Sequence, residues 1–415
     1  MIHQPSKWLC LPICLFVMAA VCVSARAGEV APAQIVSVSG EPMRLSPDKP
    51  LAWAKGTRLR QLQTLGPGSG TPAHHAVVPE SIVVRQGDRV LTAGRDYLVD
   101  PVWGSLGVAP GSSVTPEDAL TVDYRYSLRR IDSRITTADG GTAVRAGKPH
   151  LTAPMPPPLD SGEVRTANIF VDYHGDGTDA EVYPVEETAA QAVTRTTPGR
   201  IPRTLAKIRE GKPVKIVCWG DSVTAGGDAS GPNTRYPAVF GERLNAKYPE
   251  AKIEVETIAV GGSHSRQWLW PEQFPGRPGC DWERIAQARP DLVTIEFVND
   301  ASLSPAQVEE VYGEILGRLR GIEAEVILIT PHFTMPAMMG FRSLREPERR
   351  PYVLALREFA DSHGLALADA SARWEHLSKE GIPYVTLLLN GINHPDDRGH
   401  AIFADELMRC FDDLP

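Results

Sequence analysis

Apolar and polar positions follow two regimes along this chain, and the change falls near residue 200. Beyond it, short apolar runs alternate with stretches of helical spacing. "VKIVCW" (214–219), "DLVTIEFV" (291–298) and "AEVILIT" (324–330) are nearly continuous apolar segments, the pattern of strands buried on both faces. "KIEVETIAV" (252–260) and "LALADA" (365–370) read as further strands. Between them lie helical patterns. "PRTLAKIREGK" is stopped by Gly211, and "RYPAVFGERLNAKYP" and "YVLALREFADSHG" follow the same period. "SPAQVEEVYGEILGRLRGI" opens on a Ser-Pro cap and places Val308, Val311, Ile315 and Leu319 on one face. The last pattern, "PDDRGHAIFADELMRCF", carries acids in its first turn. Strands that alternate with helices predict a parallel sheet covered on both sides.

Before residue 200, helical periodicity is scarce and turn residues are dense. "SIVVRQGDRVLTAGRDYLVD" holds two strand-like runs around Gly-Asp and Ala-Gly turns. "ALTVDYRYSL" alternates with period two: Leu120, Val122, Tyr124 and Tyr126 share one face. A small β-sandwich over residues 28–150 is the expectation. "TAPMPPPLDSG" (152–162) reads as a stiff Pro-rich connector, and strand-like patterning returns after it, so residues 151–200 form a connecting segment. The domain with parallel strands then spans 201–415. "DYHGDGTD" clusters Asp172, Asp176 and Asp179, but it lacks the spacing and terminal Glu of a calcium loop, and a surface turn is the better reading.

The first residues change the picture of where the protein works. Lys7 precedes the run "LCLPICLFVMAAVCV", and "SARA" supplies small residues at Ala25 and Ala27. That is the layout of a cleavable export signal over 1–27, too short for a membrane span of about 20 apolar residues. The expectation is an exported mature chain, periplasmic or extracellular, with no membrane span after cleavage. Three cysteines lie in that leader. Cys218, Cys280 and Cys410 remain, and pairing of Cys280 with Cys410 is left open by the sequence. The formal net charge of -8 offers no basic footprint for nucleic acid. Composition is that of a globular protein, 42% hydrophobic and 23% charged.

The chemistry-bearing residues sit where the strands are expected to end. "GDSVTAG" (220–226) places Ser222 after the first strand, "AVGGSHS" places Gly261 and Gly262 after the second, and "VND" places Asn299 after the third. "NGINHPDDRGH" delivers His394 before the last helix. In parallel α/β sheets reactive groups gather beyond the carboxyl ends of the strands. A serine needs a base to become a nucleophile, and histidine supplies one near working pH. A tetrahedral intermediate needs preorganised donors, which backbone amides and a carboxamide can provide. This is a parts list for acyl transfer.

These four blocks resemble those of the SGNH (GDSL-type) hydrolase family, over roughly residues 200–415. The resemblance implies a flavodoxin-like three-layer α/β fold for this part, preceded here by the smaller β-sandwich-like domain. It implies Ser222 as nucleophile, His394 as base, and an oxyanion hole from the Ser222 and Gly262 amides and the Asn299 carboxamide. It implies ester hydrolysis without metal or cofactor. The family's usual Asp three residues before the histidine is absent, since Gly391 stands there. Three orienters of His394 are open: Asn390, a backbone carbonyl, or a folded-back Asp396 or Asp397, with the first two favoured because the aspartates suit a helical first turn. His400 reads as a packing residue, and His394 and His400 lack the cluster that would complete a metal shell. His264, His332, Trp268 and Trp270 are candidate substrate contacts or structural residues in equal measure.

The substrate expected is an ester, foremost an acetylated carbohydrate. A lipid or aryl ester is the first alternative. A catalytically silent carbohydrate-binding protein is the second. A phosphate loop at "GDSVTAGG" finds no Walker lysine after it. The oligomeric state is not fixed by the sequence.

Overall fold

A computed structural model describes residues 30–192, 195–275 and 277–412. The export signal expected over 1–27 lies outside the described residues. Among the described residues, no helix is long and apolar enough to cross a membrane.

The C-terminal part is built on a five-stranded parallel sheet. In spatial order its strands are Lys252–Ala259, Pro213–Gly220, Leu292–Glu296, Glu325–Ile329 and Ala366–Ala368. Numbered along the chain this is the 2-1-3-4-5 order of flavodoxin-like folds, as expected. The sheet's apolar runs are buried on both sides because alternate residues of a strand point to opposite faces. Val217, Trp219, Val293 and Ile295 face the helices Pro305–Gly321 and Pro351–Ser362. Ile216, Cys218, Leu292 and Ile327 face Pro202–Arg209, Tyr236–Lys247 and Asp397–Arg409. Ser304 caps the Pro305–Gly321 helix through the Gln307 amide, and Gln307 returns the bond to Ser304. The face expected there, Val308, Val311, Ile315 and Leu319, is buried. Cys280 packs on one side of the sheet and Cys410 on the other, and the three described cysteines are free thiols.

A smaller antiparallel unit precedes this domain. Gln34–Met43, Leu120–Leu128, Val77–Gln86 and Arg89–Val90 make one sheet; Thr57–Arg58, Ser105–Val108 and Tyr97–Asp100 make another. Both contribute to one core that includes Val84, Tyr97, Leu106, Val122 and Tyr124. A third sheet joins Glu181–Pro184, Val164–Val171, Arg130–Thr136 and Thr142–Arg145. It crosses the boundary expected at residue 150: the strands of the "connecting" segment pair with strands on the other side of the Pro-rich stretch.

That third sheet docks the two parts together. Ile131, Phe170 and Tyr183 share a core with Phe333, Trp374, Tyr384 and Leu388. Polar contacts reinforce the apolar ones. Asn168 Nδ2 donates to the Gly381 carbonyl at 2.7 Å, Thr152 Oγ1 to that of Leu389 at 2.7 Å, and Thr71 Oγ1 to that of Asn390 at 3.2 Å. Two of these acceptors lie just ahead of His394, so the N-terminal unit grips the segment that carries it.

Candidate active site

The strand Pro213–Gly220 ends at the point where the sheet order reverses, and Ser222 starts the short helical turn that follows. Asp221 caps this turn: its Oδ1 accepts from the Val223 amide at 3.0 Å. Gly226 closes it in the left-handed conformation. Ser222 Oγ lies 2.9 Å from His394 Nε2. Sequence-distant blocks thus meet at hydrogen-bonding distance.

The other ring nitrogen, His394 Nδ1, faces a carboxylate that the sequence reading did not single out. Asp228 Oδ2 stands 3.4 Å from it. Asp228 follows the nucleophile turn by a few residues and adopts φ 62, the left-handed region that Asp and Asn tolerate better than most side chains. Its loop is tied down on both sides. The Gly227 amide donates to the Ser222 carbonyl at 2.7 Å. The Ser230 amide and hydroxyl donate to Asp397 at 2.8 and 2.5 Å. A Cβ at Gly227 would come within 2.9 Å of the His394 ring, so only glycine lets the loop run this close.

Asn390 plays a different part from the one expected. Its Oδ1 accepts from the amides of Ile392, Asn393 and His394 at 2.8, 2.9 and 2.9 Å, and its Nδ2 donates to Asn393 Oδ1. The carboxamide is thereby engaged with the backbone of its own turn, in which Gly391 has φ 68, and does not bond the His394 ring. Nor, among the described residues, does a backbone carbonyl, Asp396 or Asp397 bond it. Asp396 caps the last helix through the Arg398 and Gly399 amides, and Asp397 holds Ser230. The only sequence signal for Asp228 is a carboxylate placed behind two glycines in "TAGGDAS".

The expected oxyanion donors share one cavity. Ser222, Gly262, Asn299 and His394 line a cleft of about 520 Å³, together with Arg277, Asn390 and Asn393. Gly262 has φ 70, a conformation that presents its backbone without side-chain strain. Asn299 is held firmly: its amide donates to Asp221 Oδ2 at 3.1 Å, and its Nδ2 to Asp221 Oδ2 at 2.9 Å and the Ser263 carbonyl at 3.0 Å. Gly261, Met338 and Ile392 also line it, as do Trp53 and Thr71 from the N-terminal unit.

Three carboxyl groups are buried beneath this floor. Burial pushes Asp221 up to about 7, with the Val223 and Asn299 donors opposing, and pushes Asp300 up to about 6 against the donors of Ser265 and Tyr312. Glu296 is raised well above the usual carboxylate range by burial and by the Asp221 charge. Of the three, Asp221 is the one that bonds Asn299.

The remaining candidates are structural. His332 is fully buried, and its Nε2 meets the Asn393 carbonyl at 2.7 Å, bracing the residue before His394. His400 is buried with its Nε2 3.4 Å from the Gly227 carbonyl, and burial lowers it to about 4. Trp268 is a core residue that donates to Ser263 Oγ, Trp270 packs against the same core, and His264 stacks edge-on with Phe274. Asp172 pairs with Arg129, and Asp176 accepts from Thr178 in a turn.

A doubly covered parallel sheet with a serine and histidine at its switch point defines a hydrolase-type α/β domain. Residues 218–402 match the GDSL-like lipase/acylhydrolase family, and they form a domain of that family, of the SGNH type. Among solved structures the chain resembles a two-domain esterase (CEX) active on acetylated mannans, in complex with mannopentaose, at 19% identity and a TM-score of 0.43. That match covers 55% of this chain and 60% of the other, so the chain spans less than two thirds of that relative. LAE5, an alpha/beta hydrolase from the metagenome of Lake Arreo, Spain, matches at 22% identity and 0.38, covering 48% of this chain and 97% of LAE5. A variant of Axe2, an acetyl xylan esterase from Geobacillus stearothermophilus, matches at 23% and 0.38, covering 49% and 97%. No curated protein matches the chain.

Proposed function

We propose that the protein is an exported serine esterase that removes short acyl groups, foremost acetyl, from a carbohydrate. The observation that carries this reading is the 2.9 Å approach of His394 Nε2 to Ser222 Oγ, with Asp228 at the opposite ring nitrogen. A carboxylate at Nδ1 favours the tautomer with its proton there, which leaves the Nε2 lone pair facing the serine. His394 Nε2 takes the Ser222 proton as Oγ attacks the ester carbonyl carbon. The carbonyl electron pair moves onto oxygen, where the Ser222 and Gly262 amides receive the charge; the Asn299 carboxamide joins them by turning one Nδ2 hydrogen from the Ser263 carbonyl to the oxyanion. Collapse expels the alcohol, which takes the proton from His394. Water, deprotonated by the same nitrogen, then attacks the acyl carbon, and Nε2 returns the proton to Ser222 Oγ as the acid leaves.

The cleft supports a polyhydroxyl alcohol. Among the described residues, the Arg277 guanidinium and Asn393 Nδ2 make no hydrogen bond within the protein and line the cavity beside the nucleophile. Such donors suit hydroxyl groups better than a lipid chain, which asks for an apolar groove. The export signal over 1–27 supports action outside the cytoplasm. We take residues 201–415 as the hydrolase domain and the antiparallel strands before it as a second unit.

The test is hydrolysis of acetyl, butyryl and octanoyl aryl esters by the mature protein beside Ser222→Ala. Acetyl preference that vanishes in the variant supports the reading. A preference for octanoyl favours the lipid alternative, and equal rates in the variant remove Ser222 from the mechanism.

A further inference from the structure

The cleft is not made by the hydrolase domain alone. Trp53 comes from a tight turn in the N-terminal unit, yet it lines the same cavity as Ser222 and His394. Large aromatic residues are usually buried, but this one keeps 38% of its surface exposed. Its position is built, not incidental. Ala52 holds φ 46, an uncommon left-handed conformation for a residue with a Cβ. That strain is sustained by surrounding bonds. The Ala52 amide donates to Asp100 Oδ2 at 3.1 Å, and its carbonyl accepts from Ser105 Oγ at 3.3 Å. The Trp53 carbonyl accepts from Arg58 Nη2 at 2.8 Å, and Leu51 bridges to Lys55 across the turn.

The ring itself is backed by other rings. Trp53 and Trp103 have centroids 5.0 Å apart, and Trp103 lies 4.6 Å from His74. Trp103 is buried against Met335 and Ile392, and Ile392 belongs to the turn that carries His394. A chain of packed side chains therefore runs from the exposed Trp53 through the tilted ring of Trp103 to Ile392 in the histidine turn. It ties the Trp53 ring to the turn that carries His394. An aromatic face held rigidly beside hydrogen-bond donors is what the apolar face of a pyranose ring fits.

We propose that Trp53 is the platform on which the sugar ring of the ester substrate stacks, so that the N-terminal unit forms one wall of the active site. This rests on the sugar-ester reading above. The platform binds the alcohol part of the ester, while the acyl part lies at Ser222 and the oxyanion donors.

Two acetates that differ only in their alcohol test it: glucose pentaacetate, which has a pyranose ring, and ethyl acetate, which has none. In Trp53→Ala, KM for glucose pentaacetate rises about tenfold, the scale of one stacking contact, while kcat/KM for ethyl acetate stays within about twofold. Trp53→Phe keeps an aromatic face and restores most of the loss. An equal loss on both esters would make Trp53 a structural residue and overturn the proposal, as would no loss on either. Calorimetric titration of glucose pentaacetate into Ser222→Ala protein reads the platform without turnover. Binding that disappears when Trp53→Ala is added supports the platform, and unchanged binding overturns it. Failure of the esterase reading shows separately, as full turnover by Ser222→Ala.

Discussion

Asp228 Oδ2 stands 3.4 Å from His394 Nδ1, while Nε2 of the same ring is 2.9 Å from Ser222 Oγ. The carboxylate comes from the loop after the nucleophile, whereas related blocks would place it in the histidine's own turn. Gly391 occupies that place here, and Asn390 beside it is engaged with three backbone amides.

Asp228→Asn removes the charge but keeps a residue that tolerates the left-handed conformation. It lowers kcat by about 10²–10⁴-fold, because an imidazole without its carboxylate loses both tautomer and stabilised cation. The melting temperature stays near that of the wild type. Unchanged kcat in a steady-state assay would remove Asp228 from the relay.

Gly227→Ala brings a Cβ within 2.9 Å of the His394 ring. The ring must shift, and a displacement of about 1 Å at a reacting group costs up to about 10²-fold in rate. A crystal structure of the variant shows His394 Nε2 farther than hydrogen-bonding distance from Ser222 Oγ.

Asn390→Ala lowers activity and stability together, since it strips acceptors from the amides of Ile392, Asn393 and His394. One buried amide left without a partner costs about 1–3 kcal/mol. Asn390→Asp retains the accepting oxygen and recovers most of the lost melting temperature. Were Asn390 an orienter of the ring, Asn390→Ala would instead lower kcat with melting unchanged.

The buried acids give stability a pH dependence of definite sign. Asp221 and Asp300 titrate at about 7 and about 6 when folded, above the 3.8 of a free aspartate. Between about pH 4 and 7 these two groups therefore hold more protons folded than unfolded, and their contribution to stability falls as pH rises. The buried histidines, such as His400 at about 4, contribute with the opposite sign, so the test is a difference: across this window the melting temperature of Asp300→Asn falls less, or rises more, with pH than that of the wild type. Parallel melting curves for the two proteins would exclude Asp300 as a contributor.

The parallel sheet was legible because burial on both faces writes itself as unbroken apolar runs, such as "VKIVCW" and "AEVILIT". Ser222, Gly262 and Asn299 were legible because each follows a strand run, and the carboxyl ends of parallel strands lie on one edge, while His394 was legible from its place just before the last helical pattern. The helix face at Val308, Val311, Ile315 and Leu319 could be read from period alone. Trp268 was less legible: a tryptophan near a strand end reads equally as core or contact, and the fold buries it.

By itself the sequence determined the order of strands and helices and singled out Ser222, Gly262, Asn299 and His394 as candidates for one rim, since these depend on local period and on position relative to the predicted elements. Tertiary structure alone decided that Asp228 meets His394, that Asn390 serves its own turn, and that Trp53 and Thr71 reach the cleft. These are contacts between loops and between two separately patterned units. Periodicity records which face of an element is buried, but not which distant loop folds over it. That is set by how the third antiparallel sheet packs its apolar face on Phe333, Trp374 and Tyr384.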